Sequence, residues 1–151
     1  FLMSANAGEP LKPLAKVISG GEMSRFMLAV KNVTARAEQI PTMVFDEIDT
    51  GISGTTAQTV ADTLASVSSH KNGGYQCIVI THLPQIVAMA DNSFVISKKV
   101  ADGKTHTVVA EVRDDDKFAT EVARLMGGVG EHNLLAAKAL IQWCRDYKSK
   151  L

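Results

Sequence analysis

A chain of 151 residues has the length of one domain and can bury about two-thirds of its unfolded surface around a single core. Hydrophobic residues make up 46% and charged residues 21%, an ordinary globular balance, and no apolar run nears the ~20 residues of a membrane-spanning helix. Sixteen basic residues offset sixteen acidic ones, so the net field gives no reason to expect a nucleic-acid coat or an anionic membrane as partner, and any DNA contact would be local or lie elsewhere.

The chain opens in mid-run at Phe1-Leu2-Met3, with no initiator methionine, basic n-region or signal-peptide core, which leads us to expect a piece of a longer protein. Phe1 to Ser4 reads as the end of a strand. Asn6-Ala7-Gly8-Glu9-Pro10 reads as a turn and Leu11-Lys12-Pro13-Leu14 as extended, since two prolines so close exclude a helix. Ser19-x-x-Glu22 is a capping box, in which the serine oxygen accepts from the Glu22 N–H and the carboxylate reaches back to the Ser19 N–H. Beyond it, Met23, Phe26, Met27, Val30, Val33 and Ala37 carry a helical period that must stop near Ile40, before Pro41.

Met43-Val44-Phe45 is short and uniformly apolar, as expected of a parallel strand covered on both faces, and Asp46 and Glu47 emerge at its carboxyl end. Asp49-Thr50-Gly51-Ile52-Ser53-Gly54 forms a loop. Ala57, Val60, Ala61, Leu64 and Val67 mark a second helix, closed by a Lys71-Asn72-Gly73-Gly74 turn. Cys77-Ile78-Val79-Ile80 repeats the buried-strand pattern and leads into Thr81-His82-Leu83-Pro84, with Pro84 opening a short helix through Met89. His82 thereby falls at the same sheet edge as Asp46 and Glu47.

From Ser93 the pattern changes: Phe94-Val95-Ile96 and Thr107-Val108-Val109 flank Asp102-Gly103, a hairpin signal with which the sheet is expected to end. Arg113-Asp114-Asp115-Asp116 precedes Phe118, Val122 and Leu125 at helical spacing, where acids favour a helix start, and Gly127-Gly128 ends that helix. The last helix carries Leu134, Ala137, Ile141 and Cys144, with Leu140 and Trp143 adjoining. Cys77 and Cys144 have neither metal-ligand spacing nor a disulfide framework and read as core thiols of a reducing compartment.

The chemistry concentrates at two places. Gly20 and Gly21 leave the first helical turn without bulk, so a phosphate can approach backbone N–H groups at the positive end of the helix dipole. A capping box alone, however, is a common helix start. An aspartate at a buried strand's end suits magnesium, a following carboxylate suits orientation of an attacking water, and a histidine one strand away suits a transferring phosphoryl group. Asp46, Glu47 and His82 stand in those positions, although each taken singly also suits a loop cap or a structural histidine.

In combination, Leu14-Ala15-Lys16-Val17-Ile18-Ser19-Gly20-Gly21-Glu22-Met23-Ser24-Arg25 resembles the signature motif of ABC-type ATPases, in their RecN-like and SMC-like branch. Thr42-Met43-Val44-Phe45-Asp46-Glu47 matches that family's Walker B strand, Ile48-Asp49-Thr50-Gly51-Ile52-Ser53-Gly54 its D-loop, and Val79-Ile80-Thr81-His82-Leu83-Pro84-Gln85-Ile86 its switch-histidine segment. Leu125-Met126-Gly127-Gly128 is similar to its late helix end, so the resemblance runs from Asn6 to about Gly128.

The resemblance implies an α/β fold, the C-terminal lobe of an ABC/SMC-type P-loop NTPase head, with a largely parallel sheet flanked by helices and an antiparallel hairpin in the C-terminal half. Residues 1–151 would be that single lobe, without the Walker A lobe and coiled coil. It implies ATP and Mg2+ as cofactors of the complete head, Asp46 at the metal, Glu47 and His82 as catalytic residues, and Ser19, Gly20, Gly21 and Glu22 against ATP held by the opposite subunit. Asp49 and Ser53 would lie in the interfacial D-loop, with Ser53 departing from the aspartate of many relatives. Glu22 likewise replaces the glutamine frequent in transporters.

No G-x-x-x-x-G-K-[ST] occurs, so hydrolysis is expected to be absent from the chain alone. The implied partners are the N-terminal Walker A lobe of the same protein, a second head in a homodimer, and DNA through the full-length protein in double-strand-break repair and recombination, in the bacterial cytoplasm and on the nucleoid, with no membrane. Lys98, Lys99 and Lys104 read as solvent-facing lysines rather than a DNA patch. The alternatives are half of an ABC transporter nucleotide-binding domain, against which Glu22 and the Asp-Thr-Gly loop argue, and a non-catalytic dimerisation module. Apolar surface left open without the other lobe is expected to cause self-association or limited solubility.

Overall fold

The computed structural model describes residues 1–4, 7–38, 41–69, 74–101 and 103–151, with the backbone alone for residues 15 and 35–38. The expectations on Asn6, on Ile40 as the helix stop, on the Ala37 side chain, on Lys71-Asn72-Gly73 and on Asp102 lie outside the described residues. Strand β1 (Leu2–Met3) pairs antiparallel with β2 (Lys12–Pro13), and a single 3-10 turn over Leu14–Lys16 carries the chain to Ser19.

Helix α1 spans Gly20–Glu38 and starts where the capping box puts it. The expected apolar stripe holds in part, with Met23, Phe26 and Val30 half-buried. Val33 is 82% exposed and Met27 is exposed too, while Gly21 and Leu28 are buried and Ser24 and Arg25 half-buried. The reason is that α1 approaches its neighbour through small and hydrogen-bonding residues rather than through an apolar ridge. Phe26 is half-buried, with its ring edge-on to Phe1 at 6.1 Å.

Strands β3 (Thr42–Phe45) and β4 (Gln76–Val79) run parallel in the register Met43 to Cys77 and Phe45 to Val79, connected through α2 (Gly54–Ser68). Ala57, Val60, Ala61, Leu64 and Val67 are all buried on the face that the period of α2 indicates. They form one core with Met43, Phe45 and Ile48, with Ile86 and Met89 of α3 (Pro84–Met89), and with residues of α4 (Asp115–Leu125) and α5 (Glu131–Lys150). Among the described residues the pair is covered on one face only, against the expectation of two: Met43 and Phe45 are buried, whereas Val44 is 64%, Ile78 47% and Ile80 52% exposed. The helices described here pack on the Met43 side, and alternation along the strands leaves the other face apolar and open.

Strands β5 (Ser93–Ala101) and β6 (Lys104–Val112) form the expected hairpin, with Ala101 opposite Lys104 and Gly103 at φ +72°, the left-handed conformation that such a turn requires. Among the described residues the hairpin pairs only with itself and does not extend the parallel pair, contrary to the expectation that one sheet ends in it. Lys98, Lys99 and Lys104 are exposed, as expected. At the start of α4, Asp114 is the cap and accepts from the Lys117 N–H at 2.9 Å. At its end, Gly128 N–H donates to the Ala123 carbonyl and Gly127 N–H to that of Arg124, a Schellman closure. Helix α5 buries Ala137, Ile141 and Cys144, while Trp143 is exposed and stacks on Tyr147 with centroids 5.5 Å apart. Cys144 is fully buried and Cys77 half-buried, both free, with burial pushing each thiol up to about 11. Among the described residues, no helix is long and apolar enough to cross a membrane.

Candidate functional site

The site is built where α1 begins and β3 and β4 end. Ser19 N–H donates to Glu22 Oε2 at 2.8 Å, Ser19 Oγ donates to the same oxygen at 2.8 Å, and Glu22 N–H returns to Ser19 Oγ at 3.4 Å. These bonds, the Ser19 backbone N–H first, hold the Glu22 carboxyl below the usual carboxylate range. The capping box therefore exists as read, on the surface of the chain.

Helix α1 then grips the loop that follows β3. Ser24 Oγ donates to the Asp46 carbonyl at 2.8 Å, and Arg25 Nη1 donates to the carbonyls of Ile48 at 3.0 Å and Thr50 at 2.9 Å. The glycines allow this approach. A Cβ on Gly21 would stand 2.8 Å from the Glu47 carbonyl oxygen and 2.9 Å from the Thr50 carbonyl oxygen, and one on Gly20 would stand 2.8 Å from Glu47 Oε2. The loop closes on itself through Thr50 N–H to the Glu47 carbonyl at 3.1 Å, with Glu47 at φ +57°. Among the described residues Glu47 alone, apart from glycines, adopts a positive φ, a conformation held only where the surroundings over-determine it.

The outcome is an over-braced backbone carrying two uncommitted acids. Asp46 and Glu47 are exposed, and among the described residues neither carboxylate has a hydrogen-bond or ion-pair partner. Asp49 is the opposite case. It is 4% exposed, and its Oδ2 accepts from Thr81 Oγ1 at 2.6 Å and the His82 N–H at 2.7 Å and lies 2.9 Å from His82 Nδ1. Burial by itself would raise this carboxyl, but the Thr81 and His82 donors outweigh it and hold it below the usual range.

The structure thus brings β3 and β4 out at one edge, with Ile80 N–H on the Phe45 carbonyl at 3.0 Å, and joins His82 to Asp49. Ser53 stands apart as the exposed cap residue of α2, without a side-chain capping bond. Among the described residues no cluster of His, Cys, Asp or Glu forms a ready cage for a metal. A hydrated magnesium ion needs none, since one or two carboxylates with phosphate oxygens and waters complete its octahedron, and exposed Asp46 fits that mode. Sequence reasoning passes over three residues with positioning roles: Ser24, Arg25 and Thr81. The available signal is that Ser24 and Arg25 follow Gly20 and Gly21 by four, on one helix face, where an inward face is ordinarily apolar.

No protein-family model matches the chain. The DNA repair protein RecN of Bacillus subtilis is 46% identical over 99% of the chain, that of Treponema pallidum 47% over 85%, and that of Vibrio cholerae 40% over 93%. The chain spans about a quarter of the length of these curated relatives, 25%, 22% and 25% respectively. A solved structure from work on ATP-driven dimerization and DNA stimulated activation of SMC ATPases aligns with a TM-score of 0.43 and 29% identity, over 69% of this chain and 60% of that one. At that score the structural likeness carries no weight beside the sequence match.

Proposed function

We propose that this chain, a RecN-type sequence along nearly its whole length, is the C-terminal lobe of a split ATPase head that acts in DNA double-strand-break repair. The observation that carries this reading is the junction of α1 with the β3 exit: a capped helix start with two glycines, packed on a braced loop that carries exposed Asp46 and Glu47 at the sheet edge where His82 meets Asp49. The named relatives are DNA repair proteins, which favours this reading over half of a transporter domain.

In the complete head Asp46 would hold the hydrated magnesium, Glu47 would orient and deprotonate the attacking water, and His82 would face the γ-phosphoryl group. Ser19, Gly20, Gly21 and Glu22 would form the helix start offered to ATP bound on the opposite head, with Ser53 in the loop between heads. The bound nucleotide supplies the phosphoanhydride, and this lobe supplies the residues that position and polarise water around it. The phosphate-cradling loop would come from the N-terminal lobe, whose docking is consistent with the open apolar face of Val44, Ile78 and Ile80. Cytoplasmic action on nucleoid DNA follows from the same reading.

The test is magnesium-dependent ATP hydrolysis by this chain alone and after mixing with the N-terminal lobe of a RecN-type protein, with Glu47→Gln as control. We expect activity only in the mixture, lost in the control. Activity of the chain alone, free of contaminants, would refute the split-head reading.

A further inference from the structure

We propose that Asp49 is a positioning residue for His82, clamping its ring by Nδ1 so that Nε2 is the nitrogen presented to a phosphoryl group. The inference rests on the reading of His82 given above, and deepens it.

The carboxylate is nearly inaccessible, and burying it without compensation would be costly. Beyond its own backbone N–H, its partners lie on the segment leaving β4: the Thr81 hydroxyl and the His82 N–H donate to Oδ2, and His82 Nδ1 lies 2.9 Å from the same oxygen. The Asp49 loop has no need of these bonds for its own shape, because Ser24, Arg25 and the Thr50 N–H already hold its carbonyls. Thr81 is committed in the same direction: its oxygen accepts the Leu83 N–H at 3.1 Å, which leaves the hydroxyl hydrogen for Asp49. The His82 backbone N–H thus donates to the same oxygen atom that stands 2.9 Å from its ring Nδ1, an arrangement that favours one ring orientation.

An ionised carboxylate can only accept, so Nδ1 carries the proton. The His82 side chain is 74% exposed, whereas the carboxylate that meets its Nδ1 is buried. When neutral, the ring offers an Nε2 lone pair to an incoming group, and when charged it offers an Nε2–H donor with Asp49 balancing the imidazolium. Without Asp49 the ring would be free to rotate and to change tautomer.

The experiment reads the ring directly. Long-range 1H–15N correlation spectra of this chain, with His82 assigned through its loss in His82→Gln, should show the Nδ1–H form in the neutral range. Asp49→Ala should revert to the Nε2–H form that predominates in a free imidazole, and Asp49→Asn, which keeps an acceptor oxygen, should fall between. An Nε2–H ring in the unaltered chain overturns the proposal without any variant having to fold. The same tautomer in Asp49→Ala overturns it as well.

In the assembled ATPase, Asp49→Ala should lower kcat by about tenfold or more, with KM for ATP within about twofold. Asp49→Asn should recover part of the loss. Full kcat in Asp49→Ala, where His82→Gln has lost it, also overturns the proposal. If His82→Gln itself hydrolyses ATP normally, the catalytic reading of His82 fails, and the tautomer spectra still decide the role of Asp49.

Discussion

Two acidic stretches of this chain meet opposite fates. In the run Asp114-Asp115-Asp116 every carboxylate is spent on structure: Asp114 caps α4, Asp115 pairs with Arg145 at 2.6 Å, and Asp116 pairs with Lys138 at 2.8 Å, which ties α4 to α5. In Asp46-Glu47 neither carboxylate has a partner among the described residues, while the backbone beneath them is held by Ser24, Arg25 and a left-handed turn. Charge that is matched locally stabilises the chain that carries it. Charge left unmatched on a rigid mount is available to something outside, and that contrast, rather than acid content, separates a helix start from a site.

The contrast breaks most visibly at Glu47. Glu47→Gln removes a general base and, among the described residues, no hydrogen bond or ion pair, so hydrolysis in the assembled head should fall about a hundredfold or more, while the urea midpoint of the chain stays put. A large loss of stability would show that Glu47 belongs with the structural acids after all.

The mount itself is tested at the glycines. Gly21→Ala drives a Cβ into the Glu47 and Thr50 carbonyls, which cannot move without disturbing α1, and should cost about 1–3 kcal/mol in urea denaturation. Gly20→Ala meets only the far end of the Glu47 side chain, which can swing aside, and should stay within about 0.5 kcal/mol. Equal effects would mean that the close approach of helix and loop is not what the glycines serve.

Asp49 stands between the two classes, since it is internally matched and yet sits at the site. Its carboxyl is held below the ~3.9 of an unfolded aspartate, so it stabilises the fold above that value. That contribution is lost as pH falls from about 4 through the lowered folded value. Denaturation midpoints measured downward from pH 5 should therefore drop more steeply in the unaltered chain than in Asp49→Asn. Parallel profiles would assign the acid sensitivity to other groups.

How much of this is legible in the sequence follows from the range of the interactions. The capping box, Pro84 at the head of α3, the Asp114 cap and the Gly127-Gly128 stop are settled within a few residues of chain, and each is where the spacing predicts. The common edge for Asp46, Glu47 and His82 also reads correctly, because parallel strands expel their following residues on one side. The inward face of α1 does so only in part: Met23, Phe26 and Val30 are half-buried as the period indicates, but periodicity detects apolar stripes and passes over Gly21, Ser24 and Arg25. The open side of β3 and β4 does not: Val44 and Ile78 look as apolar as Met43 and Val79, and only the absence of a layer among the described residues distinguishes them. The clamp of Asp49 on His82 joins residues 33 apart, and nothing local announces it.

The smallest effects lie in the acidic run, where they sharpen the original contrast. Asp114→Ala removes a cap whose carboxylate accepts a backbone N–H, and should cost about 1 kcal/mol, read as a fall in the unfolding midpoint. Asp115→Asn and Asp116→Asn remove exposed pairs, with the acids 78% and 84% accessible, in which water screens most of the attraction. Lys138 Nζ stands 2.8 Å from Asp116 and holds its carboxyl below the usual carboxylate range, but formation and stabilisation are different quantities. Each of these two variants should shift the midpoint less than Asp114→Ala does, and the shift should vanish in 1 M salt, where the screening length shrinks to about 3 Å, while the Asp114 effect persists. If all three fade together in salt, the run acts through its summed charge on the α4 dipole, and the Asp114 hydrogen bond contributes nothing separate.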